Sequence, residues 1–285
     1  MTSRGTSLPA DPAVLARHRA VLAGMIRRQM RSAAWMSAAL ALTVFAVWWL
    51  GIAFDQISTG LRQLGKLLAL MFPPSVGAHL PLLLHSMGET LAIAFLGTLI
   101  AALLAFPIGF LAANNTTPAA VLRFLTRRGL DTIRGVDVLI WALVFVGVVG
   151  LGPFAGILAI AVSDAGTFGK LFSETVETAE RGPVDGVLAA GGSRLHAIRF
   201  GLVPQIFPVI ISQVLYYFES NVRSATIIGI VGAGGIGLQL SEKIRTYDFD
   251  EVAFVIIMIL VLVAAIDWIC GRLRLFVIGR TTSAA

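Results

Sequence analysis

Six stretches of this chain, near residues 33–54, 87–113, 136–151, 153–175, 205–230 and 252–271, are apolar almost without interruption. Each approaches the ~20 residues that an α-helix needs to cross the hydrocarbon core of a bilayer. A backbone placed there finds no water, and each unpaired N–H or C=O costs several kcal/mol. Helices that satisfy their own backbone are the economical answer. The pattern predicts an all-α, polytopic membrane protein with about six transmembrane helices. Charged residues make up 13% of the chain, against the ~25% usual in soluble domains.

The basic residues set the orientation. Arg4, Arg17, Arg19, Arg27, Arg28 and Arg31 precede the first span, and Arg123, Arg127, Arg128 and Arg134 follow the second. Arg181, Arg194 and Arg199 follow the fourth, and Arg272, Arg274 and Arg280 follow the sixth. Only Arg62, Lys66, Lys243 and Arg245 fall on the other side, so the positive-inside rule places both termini in the cytoplasm. The net charge of +6 is explained by this clustering, not by nucleic acid. Arg27-Arg28 before an apolar run is reminiscent of a twin-arginine signal, but the run from Ala33 to Phe54 is too long for a signal's apolar core and is read as an uncleaved span. Residues 1–32 form a cytoplasmic tail, 33–85 the first transmembrane helix plus an extracytoplasmic segment, 86–275 the main transmembrane domain, and 276–285 a C-terminal tail. Within 55–86, Leu61, Leu64, Leu67, Leu68 and Met71 ahead of Pro73-Pro74 predict a short amphipathic helix at the outer interface.

The chain offers little chemistry of its own. Cys270 is the single cysteine, and the four histidines (His18, His79, His85, His196) are far apart without metal-ligand spacing. No phosphate-binding G-x-x-x-x-G-K-[ST] loop and no nucleophile-base pair occur. Gly232-x-Gly234-x-x-Gly237 spells a dinucleotide fingerprint, with Asp250 at a suitable distance. However, the apolar run before it has the length of a membrane span, not of a strand. Glycines there suit close helix approach or an unwound turn. Gly152-x-x-x-Gly156 is a further helix-packing spacing. No cofactor is read for this chain, and any energy input must come from a partner.

One segment between the fourth and fifth spans is too polar for lipid. From Pro183, residues Val184, Val187 and Leu188 form an apolar stripe beside Asp185. Gly191-Gly192 ends that helix, and Ser193 caps a second one carrying Arg194, Leu195 and Ile198, which Pro204 stops. Two short angled helices make a cytoplasmic knob, rigid enough to be gripped and pushed by a soluble partner. This spacing resembles the "EAA" coupling loop of binding-protein-dependent ABC importer permeases: acid-Ala-Ala, three residues, Gly, nine residues, Ile-x-Leu-Pro. Asp185 stands for the acid, Gly191 for the glycine, and Val203-Pro204 for Leu-Pro, while Gly186-Val187 replace the alanines and Gly201 replaces the isoleucine. Tyr217–Thr226, Ile230–Gly237, Trp141-Ala142-Leu143 and Val149–Gly156 are similar to permeases of phosphonate importers.

The resemblance covers roughly residues 86–275 with the coupling loop at 183–204. It implies a non-catalytic, multi-pass subunit of the bacterial inner membrane that imports phosphonate, phosphate or phosphite. The implied partners are two ABC ATPases carrying ATP and Mg, a second permease copy (identical or a paralogue), and an extracytoplasmic substrate-binding protein. Asp185, Val187, Leu188, Gly191, Gly192, Ser193, Arg194 and Pro204 would couple to the ATPase. A permease for another small solute, an ion-coupled secondary transporter, and a membrane-embedded enzyme or scaffold are the competing readings.

An arginine within a span costs at least ~2.5 kcal/mol on insertion scales, so Arg223 must face protein or water. It either offers its guanidinium to an oxyanion on the translocation path, or pairs with Glu219 one helical turn earlier. Asn221, Ser224 and Thr226 add neutral donors on the same span. Ser163 and Thr167 on the fourth span are further path candidates, with Asp164 and Lys170 too far apart along the helix to meet.

Overall fold

The computed structural model describes residues 12–51, 54–77, 79–117 and 119–282, and among these there is no strand. Residues 1–11 and 283–285 of the expected tails lie outside them. The chain divides into two units, Met1–Lys66 and Leu67–Ala285. In the first, α1 (Pro12–Trp49) includes an apolar stretch, Arg27–Trp49, long enough to cross a bilayer. Trp35, Leu42 and Trp48 are all exposed on it, a surface made for hydrocarbon. The expected span to Phe54 is cut short, because α1 ends at Trp49 and the chain turns at Leu50-Gly51 with Gly51 at φ 64°. The amphipathic helix read from the leucines is α2 (Phe54–Leu70), which exposes Leu61, Leu64 and Leu68.

The second unit contains α3 (Leu80–Ala112), α4 (Ala120–Arg134), α5 (Val138–Val149), α6 (Pro153–Thr178), α7 (Arg181–Ala189) and α8 (Arg194–His196). A π-helical segment (Ala197–Leu202) then leads into α9 (Val203–Ile230), followed by α10 (Ile236–Thr246) and α11 (Phe249–Thr282). Helices α3, α6, α9 and α11 each carry a stretch long and apolar enough to span. The third crossing differs from its expectation. The apolar run at 136–151 yields only the 12 residues of α5, about 18 Å at 1.5 Å per residue and short of the ~30 Å hydrocarbon core. It is joined to α4 through a break bent by 85°, and the pair together makes the sixth candidate crossing. The cause is local: Gly135 closes α4, and the Asp137 carboxylate accepts the Leu139 N–H (2.8 Å) to begin a new helix.

Small residues let the long helices touch. Gly97, Ala101, Ala105 and Gly109 recur every fourth residue on α3, all buried, and form a smooth stripe against α6. A Cβ on Gly97 would sit 2.7 Å from the Ile160 Cβ, and one on Gly109 2.8 Å from the Phe172 Cβ. Backbones this close gain dispersion contacts that stand in for the missing hydrophobic drive between helices in lipid. The cores on either side are built from Ile93, Ala159, Ile160, Val222 and Ile228, and from Phe168, Phe172, Val176, Ile206 and Ile210. Of the spacing singled out in the sequence, Gly156 does pack closely, 2.9 Å from the Ala233 carbonyl oxygen to its would-be Cβ. Gly152 serves instead as a turn residue at φ 136°, donating its N–H to the Gly232 carbonyl (3.0 Å).

A paired substitution tests the stripe. Gly97→Ala forces α3 off α6 and should lower the unfolding midpoint in detergent, since overpacking costs about 1–3 kcal/mol. Gly88→Ala, on the same helix with nothing within 4 Å of its Cβ, should leave the midpoint unchanged or raise it through helix propensity.

Candidate functional site: the cytoplasmic knob and the polar interior

The knob begins where α6 ends. Helix α7 starts at Arg181, so Pro183 falls in its first turn, where no intrahelical N–H is required. At its other end, Gly191 at φ 85° donates to the Leu188 carbonyl (3.0 Å) and Gly192 to the Val187 carbonyl (3.0 Å), the paired bonds of a Schellman closure. Glycine at 191 avoids the penalty other residues meet in the left-handed region. Ser193 then caps α8: its Oγ accepts the His196 N–H, and its own N–H reaches the His196 ring, both at 3.4 Å.

The second knob helix does not stop at Pro204, as the sequence suggested. Residues 194–230 run on as one helical length, with the π-helical segment bridging into α9. Val203 donates to the Ile198 carbonyl in the wide register, which accommodates Pro204 and its missing N–H in the first turn of α9. The knob is therefore a direct extension of a membrane span.

Two features clamp its neck. A Cβ at Gly201 would lie 2.8 Å from the Val184 Cα and 3.0 Å from the Pro183 carbonyl, so this glycine, a departure from the family pattern, is what lets the returning π-helical segment seat on α7. The Gln205 side chain joins entrance to exit: its Nε2 donates to the carbonyls of Gly201 (2.6 Å) and Glu180 (3.3 Å), and its Oε1 accepts the Glu180 N–H (3.1 Å). Nearby, Glu177 accepts from Arg127 (2.5 Å) and from the Asn114 N–H (2.6 Å), fixing the cytoplasmic ends of α3, α4 and α6. None of Gln205, Glu177 or Arg127 stood out as a site residue in the sequence, because the contacts that join them to other helices lie 15 to 63 residues away. On the outer surface of the knob, Asp185, Leu188, Ser193, Arg194, Leu195 and Phe200 are exposed, Leu195 at 78%. Val187 and Gly192 are half-buried and shape the turn, and Pro204 is exposed at the neck.

Inside the membrane the predicted residues are sorted differently. Asn221 is buried, donating its Nδ2 to the Thr98 hydroxyl (2.9 Å) and to the Asp164 carboxylate, so it ties α9 to α3 and α6. Thr226 is also buried and bonds its own helix at the Val222 carbonyl (3.2 Å). Glu219 and Arg223 do not pair with each other. Arg274 of α11 binds Glu219, and Arg223 reaches Asp267 at a loose 3.9 Å. Asp267 and Arg274 lie two turns apart on α11, and that stripe outcompetes the neighbouring turn of α9. Arg223 keeps 57% of its side chain exposed, and Ser224 is half-buried. Asp164 and Lys170 do not meet; Lys170 pairs instead with Asp131 of α4 (2.9 Å). Ser163 and Thr167 are half-buried on α6.

At the opposite end of the second unit, the glycine turn 232–237 is filled by protein. Gly235 N–H donates to the Glu89 carboxylate and Ile236 N–H to the Thr90 hydroxyl, each at 2.8 Å. A pyrophosphate at the start of α10 would face a carboxylate where the fingerprint needs a free anion cradle.

Residues 105–275 match the family described as binding-protein-dependent transport system inner membrane component. HtxC of Stutzerimonas stutzeri, a protein named for a phosphite transport system permease, is 41% identical over 239 residues, covering 83% of this chain and 84% of the relative. The phosphate-import permease protein PhnE of Mycolicibacterium smegmatis is 39% identical over 204 residues, 72% of this chain but 38% of that protein. The phosphite transport system permease protein PtxC of Stutzerimonas stutzeri is 32% identical over 234 residues, 82% of this chain and 85% of the relative. A solved structure of the inward-facing MetNI methionine ABC transporter superposes with a TM-score of 0.62 at 20% identity, covering 71% of this chain and 99% of that chain. At that identity the likeness speaks for the fold.

The interior tie generates a prediction. Asn221→Leu strands the Asp164 carboxylate without its donor, which costs about 1–3 kcal/mol or more for a charged group. The detergent unfolding midpoint should fall by several degrees, and Thr98→Val, which removes one acceptor only, should fall less; equal midpoints for all three proteins would contradict the tie.

Proposed function

Because this chain belongs to the family of binding-protein-dependent transport system inner membrane components, we propose that it is the permease of an ATP-driven importer carrying phosphonate, phosphite or phosphate across the bacterial inner membrane. The single observation behind the substrate class is that HtxC, PtxC and PhnE, matched over most of this chain, are all named for phosphorus oxyanions. In this reading the chain carries no catalytic centre. ATP and Mg are bound by two partner ATPases, a second permease copy or a paralogue completes the pore, and an extracytoplasmic binding protein delivers the anion.

The knob supplies the coupling surface. Asp185, Leu188, Arg194 and Leu195 present a mixed polar and apolar face for the ATPase. Val187, Gly191, Gly192 and Ser193 hold the turn, and Pro204 stands where the knob joins α9. Closure of the ATPase dimer on ATP draws two knobs together, and the continuous length from Arg194 to Ile230 carries that movement into the bundle. Nucleotide and loaded binding protein both favour the outward state, so transport is a population shift driven from two sides. The pore must release what it takes in, so selectivity rests mainly with the binding protein.

Two measurements test the proposal. In proteoliposomes holding the permease, its ATPase and a loaded binding protein, uptake of phosphite, phosphonate or phosphate should require internal ATP and survive an uncoupler. Uptake that persists without ATP and stops with an uncoupler would establish an ion-coupled carrier instead. Gly191→Trp forces a bulky residue into a left-handed position that costs roughly 1–2 kcal/mol, and it sits on the docking face. The variant should insert into the membrane yet lose both ATPase association and uptake; normal uptake contradicts the knob's role.

A further inference from the structure

We propose that the corner where α10 meets α11, with Tyr247 at its tip and Phe72 on the segment bonded to it, is the surface on which the extracytoplasmic binding protein docks. The inference rests on the transport reading above and adds where this chain holds the delivering partner.

The corner is marked by a backbone outlier. Helix α10 closes on Tyr247, which takes the left-handed conformation (φ 65°, ψ 23°). In that shape its N–H reaches the Ile244 carbonyl (3.3 Å), and the Asp248 N–H reaches the Lys243 carbonyl (3.1 Å). Glycine or asparagine is the usual occupant of such a position, because a larger residue's Cβ crowds the following carbonyl. Among the described residues Tyr247 is the single non-glycine with positive φ. Its ring meets that of Phe249 edge to face at 6.0 Å but stays 77% exposed. Packing therefore does not account for the strain. Outliers of this kind concentrate where a side chain must be held in one place for use.

The scaffold behind the ring is locked. The Ser75 hydroxyl donates to the Asp250 carboxylate (2.5 Å), and the Ser75 N–H to the Asp250 carbonyl (3.3 Å). Gly77, at φ 59°, lies against the Glu251 carboxylate, which pairs with Lys243 of α10 (2.7 Å). Segment 72–77, α10 and the start of α11 are thus bonded together. Phe72, 76% exposed, stands three residues before Ser75, and Tyr247 three before Asp250. Three residues reach at most about 11 Å, so the two aromatics lie within about 30 Å of each other. That separation fits the roughly 800 Å² that one protein partner covers.

Position and chemistry select the occupant. The corner lies at the end of the second unit opposite the knob, on the side poor in basic residues. Exposed Glu242 and Arg245 and half-buried Asp248 flank Tyr247, so the ring is set among charges, not in an apolar run. A tyrosine within a polar rim has the make-up of a protein-interface hot spot. A ring already fixed by its backbone also loses little freedom on binding. The family is described as binding-protein-dependent, and such a partner arrives from outside. The competing role for the ring is an anchor in the lipid headgroup layer.

The test uses the assembled complex in proteoliposomes with Tyr247→Gly, Tyr247→Asn and Phe72→Ser. ATPase activity is followed against the concentration of binding protein loaded with phosphite, phosphonate or phosphate, alongside the unfolding midpoint. Glycine and asparagine accept the left-handed region, so both Tyr247 variants should hold or raise the midpoint. Loss of a hot-spot ring predicts a rise of about tenfold or more in the half-stimulating concentration, with basal and saturated rates unchanged. Phe72→Ser should give a smaller rise. An unchanged half-stimulating concentration in both Tyr247 variants overturns the surface alone. A lowered midpoint with stimulation unchanged does the same and makes the ring a headgroup anchor. A wild-type ATPase that no loaded binding protein stimulates overturns the transport reading and the surface with it.

Discussion

The coupling account depends on the clamp at the neck of the knob. Three hydrogen bonds from one side chain, Gln205, hold the residue that enters the knob and the residue that leaves it. Gly201 adds a backbone contact too close for any Cβ. Without that closure, 181–202 would be a loop able to absorb a push. With it, the knob and α9 form one lever, because the π-helical segment keeps the helix unbroken past Pro204. The Gln205 bonds satisfy backbone groups at both ends of the knob, so entrance and exit separate only by breaking them.

The bundle around α9 is held by two unlike devices. Small residues on α3 allow backbone approach to α6, which is stiff because interiors are close-packed. Polar ties then join α9 to its neighbours: Asn221 towards Asp164 and Thr98 on one side, Glu219 and Arg223 towards α11 on the other. Such ties have directional partners and so favour discrete arrangements over continuous sliding. A transporter that alternates between two states is served by that discreteness.

Much of this was legible in the sequence, and the reasons for the remainder are physical. Hydropathy located every long helix, because lipid imposes the same requirement on each. The glycine pair at 191–192 and the Ser193 cap were readable, since capping chemistry is local. The break at 135–137 was missed as a break, because Val138–Val149 reads as part of a continuous apolar run and only the Asp137 cap hinted otherwise. Pairing was harder still. Glu219 and Arg223 stand at ion-pair spacing, yet both turn to α11, about fifty residues away, and periodicity reports a face but not what covers it. Gln205 carried a signal too common to notice: a glutamine after a proline.

The central claim is that the knob docks on a nucleotide-driven motor in the cytoplasm. The most direct measurement is site-directed crosslinking from Leu195→Cys, at a 78% exposed position, in a Cys270→Ser background, within the assembled complex in native membranes. The account predicts a crosslink to the ATPase subunit whose yield changes with nucleotide. A label that attaches only to lipid, or that reacts with an impermeant reagent from the outer face, would contradict it.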